Sequence, residues 1–405
     1  LTSTDWETSL DKISFLIKQY NSDQIGVVAG SLSDVETMFT AKEMFNGLGV
    51  HNLDCRFNGS NFKIEDRSDW LFNSKLAGID QIDRLLIIGC DPKREATVLN
   101  ARIRKRWLTG ELEIISICAP NDLTYKVENL GNDIAILNNA DIINTIKDFF
   151  QNSKFPMIIL GDSILSTEEG EDIHAITKKI ADSCNVIKED WNGFNILSPY
   201  ASRAGGLEVG FIPTKNGNNA KQMKKKILEK EIKLLFLIEA DDFEISDIDN
   251  ESTKIIYLGH HGDKLASKAD VILPITAFTE KKALYINIEG RPQFTKKIIQ
   301  NKGLAVDGWK VFRALADKLG IKLTYNNHQQ LLDRIFKLHP EISSINEIVP
   351  AKFLKSNKSI PIIRSLKSSF LVKNYYQSCP ITRASINMAN CIKRFSKKDE
   401  SILNG

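Results

Sequence analysis

Apolar residues recur along the chain in two patterns, and the first is helical. A stripe with spacings of 4, 3 and 4 residues is formed by Trp6, Leu10, Ile13 and Ile17. That spacing places the four side chains on one face of an α-helix. The preceding Thr4-Asp5-Trp6-Glu7 has the form of a capping box. The pattern therefore predicts that the chain begins with an amphipathic helix.

The second pattern consists of short apolar runs without polar alternation. Four of them end in glycine: Ile25–Gly30, Leu85–Gly89, Met157–Gly161 and Ile255–Gly259. Further runs are Ile114–Ile117, Ile134–Leu137, Leu234–Ile238 and Val271–Leu273. Helical patterns lie between them. Uninterrupted apolar strands indicate burial on both faces, so the sequence predicts an α/β fold of parallel sheets covered by helices.

The length of 405 residues predicts two or three domains. A first boundary is expected where a helix ending at Phe150 gives way to polar residues and Pro156. The second α/β unit is expected to close with a helix from Gly308 to Leu319, because the pattern weakens beyond Tyr325. The predicted division is 1–150, 151–325 and an irregular basic C-terminal extension at 326–405.

Composition narrows the class of protein. Hydrophobic residues make up 42% and charged residues 26%, which excludes a disordered chain. No apolar run has the roughly 18 to 20 residues that a membrane-spanning helix needs. The six cysteines contain no C-x-x-C pair, so they indicate a reducing compartment and neither a disulfide framework nor an iron–sulfur or zinc motif. The chain opens at Leu1 without Met, and we expect it to be part of a longer or processed protein.

Charge is distributed unevenly. Residues 351–405 hold eleven lysines and arginines against Asp399 and Glu400, a net charge of +9, so residues 1–350 carry −6. Because no nucleic-acid motif accompanies the basic tail, we expect it to dock on acidic protein surface and not to bind nucleic acid. Residues 351 to about 395 should lie extended over the body, with apolar side chains in shallow pockets. The anchors expected are Ile362, Ile363, Phe370 and Leu371.

The glycine-ended strands are the first candidate site. In an open parallel sheet, ligands bind beyond the carboxyl ends of the strands, where helix N-termini attract phosphate. The four turns begin at Gly30, Gly89, Gly161 and Gly259, and none forms a G-x-G-x-x-G or Walker loop. We therefore interpret these glycines as ordinary strand ends and leave a nucleotide site as the alternative.

Histidine, cysteine and charged clusters are the remaining candidates. His260 and His261 are adjacent, and in an extended segment their side chains point to opposite faces, so we expect them to be structural. Cys55 follows the first α/β helix and could ligate a soft metal as a thiolate, although a lone cysteine is more often a buried thiol. The acidic cluster at 168–172 suits a helix N-terminus, and the basic run at 221–233 suits a solvated helix face. No catalytic relay has a recognisable spacing.

Several spaced motifs resemble one family, the large iron–sulfur subunit of respiratory complex I (NADH:ubiquinone oxidoreductase). They are Trp70-Leu71-Phe72-Asn73, Leu85 to Ala96, Leu99-Asn100-Ala101-Arg102-Ile103-Arg104-Lys105, Gly259-His260-His261-Gly262-Asp263, Ala269 to Pro274, Thr279-Glu280-Lys281, Asn287 to Gln293 and Ile381-Thr382-Arg383-Ala384-Ser385. The later motifs resemble the half of that subunit that is similar to molybdopterin oxidoreductases. Where a pterin enzyme often has Asn-Pro, this chain has Asp91-Pro92.

The resemblance implies two doubly wound parallel-sheet domains of the molybdopterin-oxidoreductase type with an extended C-terminal tail. It also implies a structural part of the peripheral arm, with no cofactor in this chain, since the clusters of the family are bound by an N-terminal part that is absent here. The implied partners are that cluster-bearing part and other peripheral-arm subunits. The implied location is the matrix side of the mitochondrial inner membrane or the cytoplasmic face of a bacterial inner membrane.

No catalytic, cofactor-binding or metal-ligating residue is assigned on this interpretation. Arg102, Arg104 and Arg291 are the positions expected at an interface or in an internal ion pair. Two alternatives stay open at this point. One is a molybdenum or tungsten bis-pterin oxidoreductase with Cys55 as the metal ligand. The other is a free-standing regulatory α/β module that binds a nucleotide.

Overall fold

In the computed structural model, which describes residues 1–245, 251–355, 362–367 and 375–402, two parallel β-sheets are flanked by helices. The helices are α1 (Trp6–Gln19), α2 (Val35–Gly47), α3 (Pro92–Glu95), α4 (Thr97–Trp107), α5 (Ala140–Phe150), α6 (Asp162–Leu165), α7 (Gly170–Ser183), α8 (Arg203–Glu208), α9 (Ala220–Leu228), α10 (Gly308–Lys318), α11 (His328–Leu338), α12 (Pro380–Arg383) and α13 (Ile386–Ile402). The strands are β1 (Ile25–Ala29), β2 (Leu53–Asp54), β3 (Arg84–Ile88), β4 (Glu113–Ile117), β5 (Glu128–Gly131), β6 (Pro156–Gly161), β7 (Ile187–Lys188), β8 (Trp191–Asn192), β9 (Phe194–Leu197), β10 (Leu234–Ile238), β11 (Lys254–Gly259), β12 (Val271–Pro274), β13 (Leu284–Ile286) and β14 (Pro292–Phe294).

Both five-stranded sheets are doubly wound. The first has the strand order β12-β11-β10-β1-β2 and the second has the order β5-β4-β3-β6-β9, with every neighbouring pair parallel. In each sheet the chain reverses its winding direction at one position, between β1 and β10 in the first sheet and between β3 and β6 in the second. Ligands of doubly wound sheets bind at such switch points. The predicted fold class is confirmed.

The sheets do not follow the expected division at residue 150. In the second sheet β3 pairs with β6 along its whole length, with Leu86 opposite Ile158, so strands from both sides of that boundary are neighbours. The first sheet joins β1 to β10, with Val27 opposite Phe236. The second sheet is therefore an insertion between β2 and β10. The polar stretch before Pro156 marks only a loop, because a local pattern carries no information about which strands pair.

Side chains alternate between two cores in each sheet. In β10, Phe236 packs in the core that lies between the sheets and their inner helices, whereas Leu235 and Leu237 pack against α9 on the other face. In β3, Leu86 faces the shared core and Leu85 faces α4. This burial on both faces confirms the interpretation of the uninterrupted apolar runs.

Two local predictions are corrected. Helix α1 forms as expected, but its N-cap is Asp5, whose carboxylate accepts from the backbone N–H of Thr8 at 2.7 Å, so Thr4 does not cap it. The apolar run Ile134–Leu137 is not a strand and lies in a 3-10 helix, because Asp133 caps it by accepting from the Ala135 N–H. A capping carboxylate favours a helical turn over an extended conformation.

The C-terminal extension, residues 326–405, is less irregular than predicted. Helix α11 lies within 326–405 and buries Leu331 and Ile335, while its Arg334 pairs with Glu43 of α2 at 3.0 Å. The C-terminal part forms α12 and α13 instead of an extended strap. An amphipathic stripe in α11 explains its docking, and the sequence prediction missed it because the flanking residues are polar.

Between these helices, the described residues 362–367 lie against the body, and Lys367 forms an antiparallel bridge with Asp133. Ile363 is buried and exchanges hydrogen bonds with Asn138, whereas Ile362 is exposed and is not the expected anchor. The Leu366 N–H donates to Asp133 at 2.9 Å. Phe370 and Leu371, the other expected anchors, lie outside the described residues. In the described part of the chain, no helix is both long and apolar enough to cross a bilayer.

Candidate functional site

The two switch points are filled by the chain's own backbone. A Cβ placed on Gly30, after β1, would lie 1.8 Å from the carbonyl oxygen of Glu239, after β10. A Cβ on Gly161, the last residue of β6, would lie 2.4 Å from the carbonyl oxygen of Gly89, after β3. The glycines therefore allow two loops to approach each other closely. They do not form the open cradle that a phosphate needs.

Two helix N-termini at these edges, those of α2 and α3, are occupied by carboxylates of the chain itself. Asp34 caps α2 by accepting from the Thr37 N–H at 2.7 Å. Asp91 caps α3 by accepting from the N–H groups of Lys93 and Arg94 at 3.0 and 3.3 Å. Because a fixed carboxylate already takes the N–H groups that would bind a phosphate, neither helix is free for a nucleotide. Pro92 stands at the first position of α3, which explains the Asp-Pro pair.

A buried ion pair closes the edge of the first sheet. The Nζ atom of Lys281 lies 2.6 Å from Asp34, and both side chains are 2% exposed. Burial opposes the charge of Asp34, but the attraction and hydrogen bond of Lys281 outweigh it and lower the pKa of Asp34. The pKa of Lys281 is raised well above its usual value, since the same carboxylate outweighs its burial. The pair joins the start of α2 to the segment before β13.

A second buried network lies at the edge of the second sheet. Arg203 of α8 donates to Asp162 at 2.7 Å, and their side chains are 3% and 1% exposed. The remaining bonds to Asp162 come from Asn58 at 2.6 Å and Ser60 at 2.8 Å. Arg203 also donates to the side-chain oxygen of Asn58 at 2.6 Å. The network ties the start of α6 and helix α8 to the loop after Cys55.

Cys55 is placed where a metal cannot reach it without rearrangement. It is fully buried, and a Cβ on Gly206 of α8 would lie 2.7 Å from its Sγ atom, so α8 packs directly on the thiol. Burial, helped by the nearby Asp54 charge, raises the pKa of Cys55 to about 12. A metal needs the thiolate. The residues around Cys55 therefore do not fit the ligand set of a molybdenum pterin, and no step is derived through one.

The three predicted arginine positions lie on the surface of the chain. Arg102 pairs with Asp80 and Arg291 lies 3.5 Å from Glu289. Arg104 donates to the carbonyl oxygen of Thr124 at 3.2 Å. None of these contacts brings the arginines to either switch point.

The sequence prediction missed the buried charged residues that hold the edges together. Besides the pairs above, Lys178 forms an ion pair with Asp69, and Arg67 lies 2.7 Å from Glu208. The carboxylates of Asp69 and Glu208 are both almost fully buried. The only signal in the sequence is a charged residue on an otherwise apolar helix face, as at Lys178 in α7. Its partner is about a hundred residues away, so no spacing reveals the pair.

Chemically, the arrangement at the two edges holds elements together. At the switch points, Asp34, Asp91 and Asp162 are each bonded to a cation, a hydroxyl or backbone N–H groups of the same chain. Glu239, after β10, is the exception, since neither of its carboxylate oxygens has a hydrogen-bond partner. Among the described residues, no group of three histidines, cysteines or carboxylates is arranged to hold a metal ion. The edges therefore act as internal joints.

Replacing Lys281 with Met should destabilise the chain by about 3–5 kcal/mol, since Asp34 would remain buried without its partner. Lys225→Ala, which removes an exposed pair with Glu229, is the control and should cost at most about 1 kcal/mol. Adding Asp34→Asn to Lys281→Met should recover part of the loss because no unpaired charge remains. Urea unfolding measures all three, and equal effects for Lys281→Met and Lys225→Ala would contradict the account.

Cys55 should resist alkylation in the folded protein. At pH 8 iodoacetamide should modify the half-buried Cys391 much faster than Cys55, whose thiol is enclosed and has its pKa at about 12. Peptide mass spectrometry after timed quenching gives both rates, and labelling in urea shows that both peptides are detectable. Labelling of native Cys55 at a rate similar to that of Cys391 would show an accessible thiolate and reopen its role as a ligand.

Comparison with known proteins agrees with the fold described above. The family model described as molybdopterin oxidoreductase matches residues 1–318. In solved structures, the chain is similar to the formyltransferase/hydrolase complex FhcABCD from Methylorubrum extorquens, with a TM-score of 0.56, 15% identity and coverage of 79% of this chain and 98% of that one. This likeness concerns the fold alone.

Curated relatives are more similar in sequence. An NADH-quinone oxidoreductase subunit from Rickettsia conorii is 34% identical over 405 residues, which is 99% of this chain and 58% of that protein. The mitochondrial 78 kDa subunit of NADH-ubiquinone oxidoreductase from Neurospora crassa is 34% identical over 403 residues, 95% of this chain and 52% of that protein. The chain thus spans a little over half the length of these relatives. The resemblance inferred from the motifs is confirmed, and the chain belongs to the molybdopterin oxidoreductase family.

Proposed function

We propose that this chain is a structural part of the large subunit of NADH:quinone oxidoreductase, complex I. In this role it supports electron transfer from NADH to quinone without carrying electrons itself. The observation that carries the proposal is the closure of both switch points by the chain's own charges. Where an enzyme of this fold class would bind a ligand, Asp34 is paired with Lys281 and Asp162 with Arg203.

The proposal also agrees with the state of the buried cysteine thiols in the chain. Four cysteines, Cys55, Cys90, Cys118 and Cys184, are buried and unpaired, and burial raises the pKa of each. A neutral buried thiol is a poor ligand for an iron–sulfur cluster. Electron-carrying groups are then supplied by another part of the assembly.

The proposed partners are the cluster-bearing N-terminal part of the same subunit and other subunits of the peripheral arm. The proposed location is the matrix side of the mitochondrial inner membrane or the cytoplasmic face of a bacterial inner membrane. The tail has the features of a partner-binding element. Its Arg383 pairs with Asp242 and Asp263 on the body, while its Arg364 side chain is 88% exposed and lies 3.5 Å from Glu169.

Sedimentation of native extracts tests the proposal. The tagged chain should sediment with a large membrane-attached assembly that has NADH dehydrogenase activity. Deleting residues 351–405 should leave the α/β body folded and should reduce incorporation. Arg383→Ala should reduce it more than Arg364→Ala, because only the first arginine is held between two carboxylates.

Thermal unfolding of each variant is the control for folding. Recovery of the intact chain only as a free monomer would contradict the proposed function. Equal incorporation of intact and truncated chains at physiological salt would contradict the role of the tail alone.

A further inference from the structure

The bend after β11 brings two histidine rings together. His260 and His261 follow the strand directly, and their Nδ1 atoms lie 2.6 Å apart with the rings nearly perpendicular. The expectation that adjacent histidines point to opposite faces is therefore wrong. The chain is no longer extended here, and Gly262 continues the bend with a φ of +66°. At this separation one Nδ1 atom has to donate a proton to the other.

The buried carboxylate of Glu239 lies next to His260. Glu239 follows β10, its side chain is 2% exposed, and neither of its carboxylate oxygens has a hydrogen-bond partner. Its Oε1 atom lies 3.3 Å from Nε2 of His260. Leaving a buried carboxylate without hydrogen bonds costs free energy. Glu239 also holds a left-handed backbone, with a φ of +49°, which is uncommon for a residue other than glycine.

We propose that His260 and His261 bind a transition-metal ion of the zinc and copper class through their Nδ1 atoms, with Glu239 orienting His260. The metal takes the position of the proton that the two nitrogens share. A ligating histidine commonly places its other ring nitrogen against a carboxylate, which is the arrangement of Glu239 and His260. Imidazole nitrogens suit zinc and copper.

The local geometry permits the ion with a small movement. Zn–N bonds of about 2.0–2.1 Å at a tetrahedral angle separate two nitrogens by about 3.3 Å. The rings therefore need to open by about 0.7 Å from their present spacing of 2.6 Å. The His260 side chain is 6% exposed and fixed, whereas His261 is exposed, so its ring is the one that moves. Water completes the coordination on the exposed side.

The surrounding charges favour a cation. Carboxylates of Asp241 and Glu280 act electrostatically on His260 and His261, in addition to Glu239. Lys302 opposes the cation from the side of His261. Lys281, which acts on Glu239, is itself paired with Asp34. With two protein ligands the affinity should be well below that of a closed site with four.

Titration of the intact 405-residue chain with Zn²⁺ against a chromogenic chelator tests the proposal. One equivalent should bind, and His261→Ala and His260→Ala should each lower the affinity at least about tenfold. Glu239→Gln should lower it roughly 10- to 100-fold with the stoichiometry kept, as removal of an orienting carboxylate does. Cu²⁺ serves as the second probe.

His51→Ala is the matched control, since His51 precedes β2, at the opposite edge of the first sheet, where its Nδ1 atom bonds Thr214. Thermal unfolding checks each variant, and the exposed His261 keeps the test valid if His260→Ala fails to fold. Loss of binding in the two histidine variants but not in His51→Ala supports the site. Failure to bind one saturable equivalent, or binding that persists in both histidine variants, overturns it. Both results are independent of assembly into complex I.

Discussion

A charge buried inside a protein has to be matched by an opposite charge, and this constraint governs the edges of both sheets. Taking an ion out of water costs several kcal/mol, so Asp34 and Lys281, at 2% exposure each, are tolerable only together. The same holds for Asp162 and Arg203. Each pair joins segments that are far apart in sequence. The positions of α2, α8 and the segment before β13 thus depend on keeping the pairs intact.

This constraint also decides what the fold can do. A doubly wound sheet binds ligands at its switch point because helix N-termini and open loops are available there. In this chain Asp34 and Asp91 occupy two of those N-termini, and Gly30 and Gly161 let the neighbouring loops close on each other. The switch point, which binds a ligand in other doubly wound sheets, instead holds helices and loops of this chain together. The His260–His261 pair lies at the same edge of the first sheet, and the ring of His261 is exposed to solvent.

Sequence patterns predicted the elements far better than their arrangement. Uninterrupted apolar runs identified β1, β3, β6 and β11 almost to the residue, because burial on both faces leaves a plain signal in the chain. The run at Ile134 to Leu137 failed, since a single capping aspartate turned it into a 3-10 helix. Short strands such as β9 were not predicted.

Pairings over long distances left no local trace. The insertion of the second sheet into the first depends on which strands become neighbours, and a polar loop near residue 150 was mistaken for a boundary. The partners of Lys281 and Arg203 were equally hidden, because an ion pair between distant residues imposes no spacing on either. The side-chain directions of His260 and His261 were predicted from the geometry of a strand, whereas the chain bends at these residues.

The central claim is that the chain's own charges close both ligand positions. The most direct measurement is the content of molybdenum, tungsten and bound nucleotide in the chain purified from its native source, by elemental analysis and by chromatography after denaturation. The account predicts that all three are well below stoichiometric amounts. One equivalent of molybdenum, tungsten or a nucleotide per chain would contradict it.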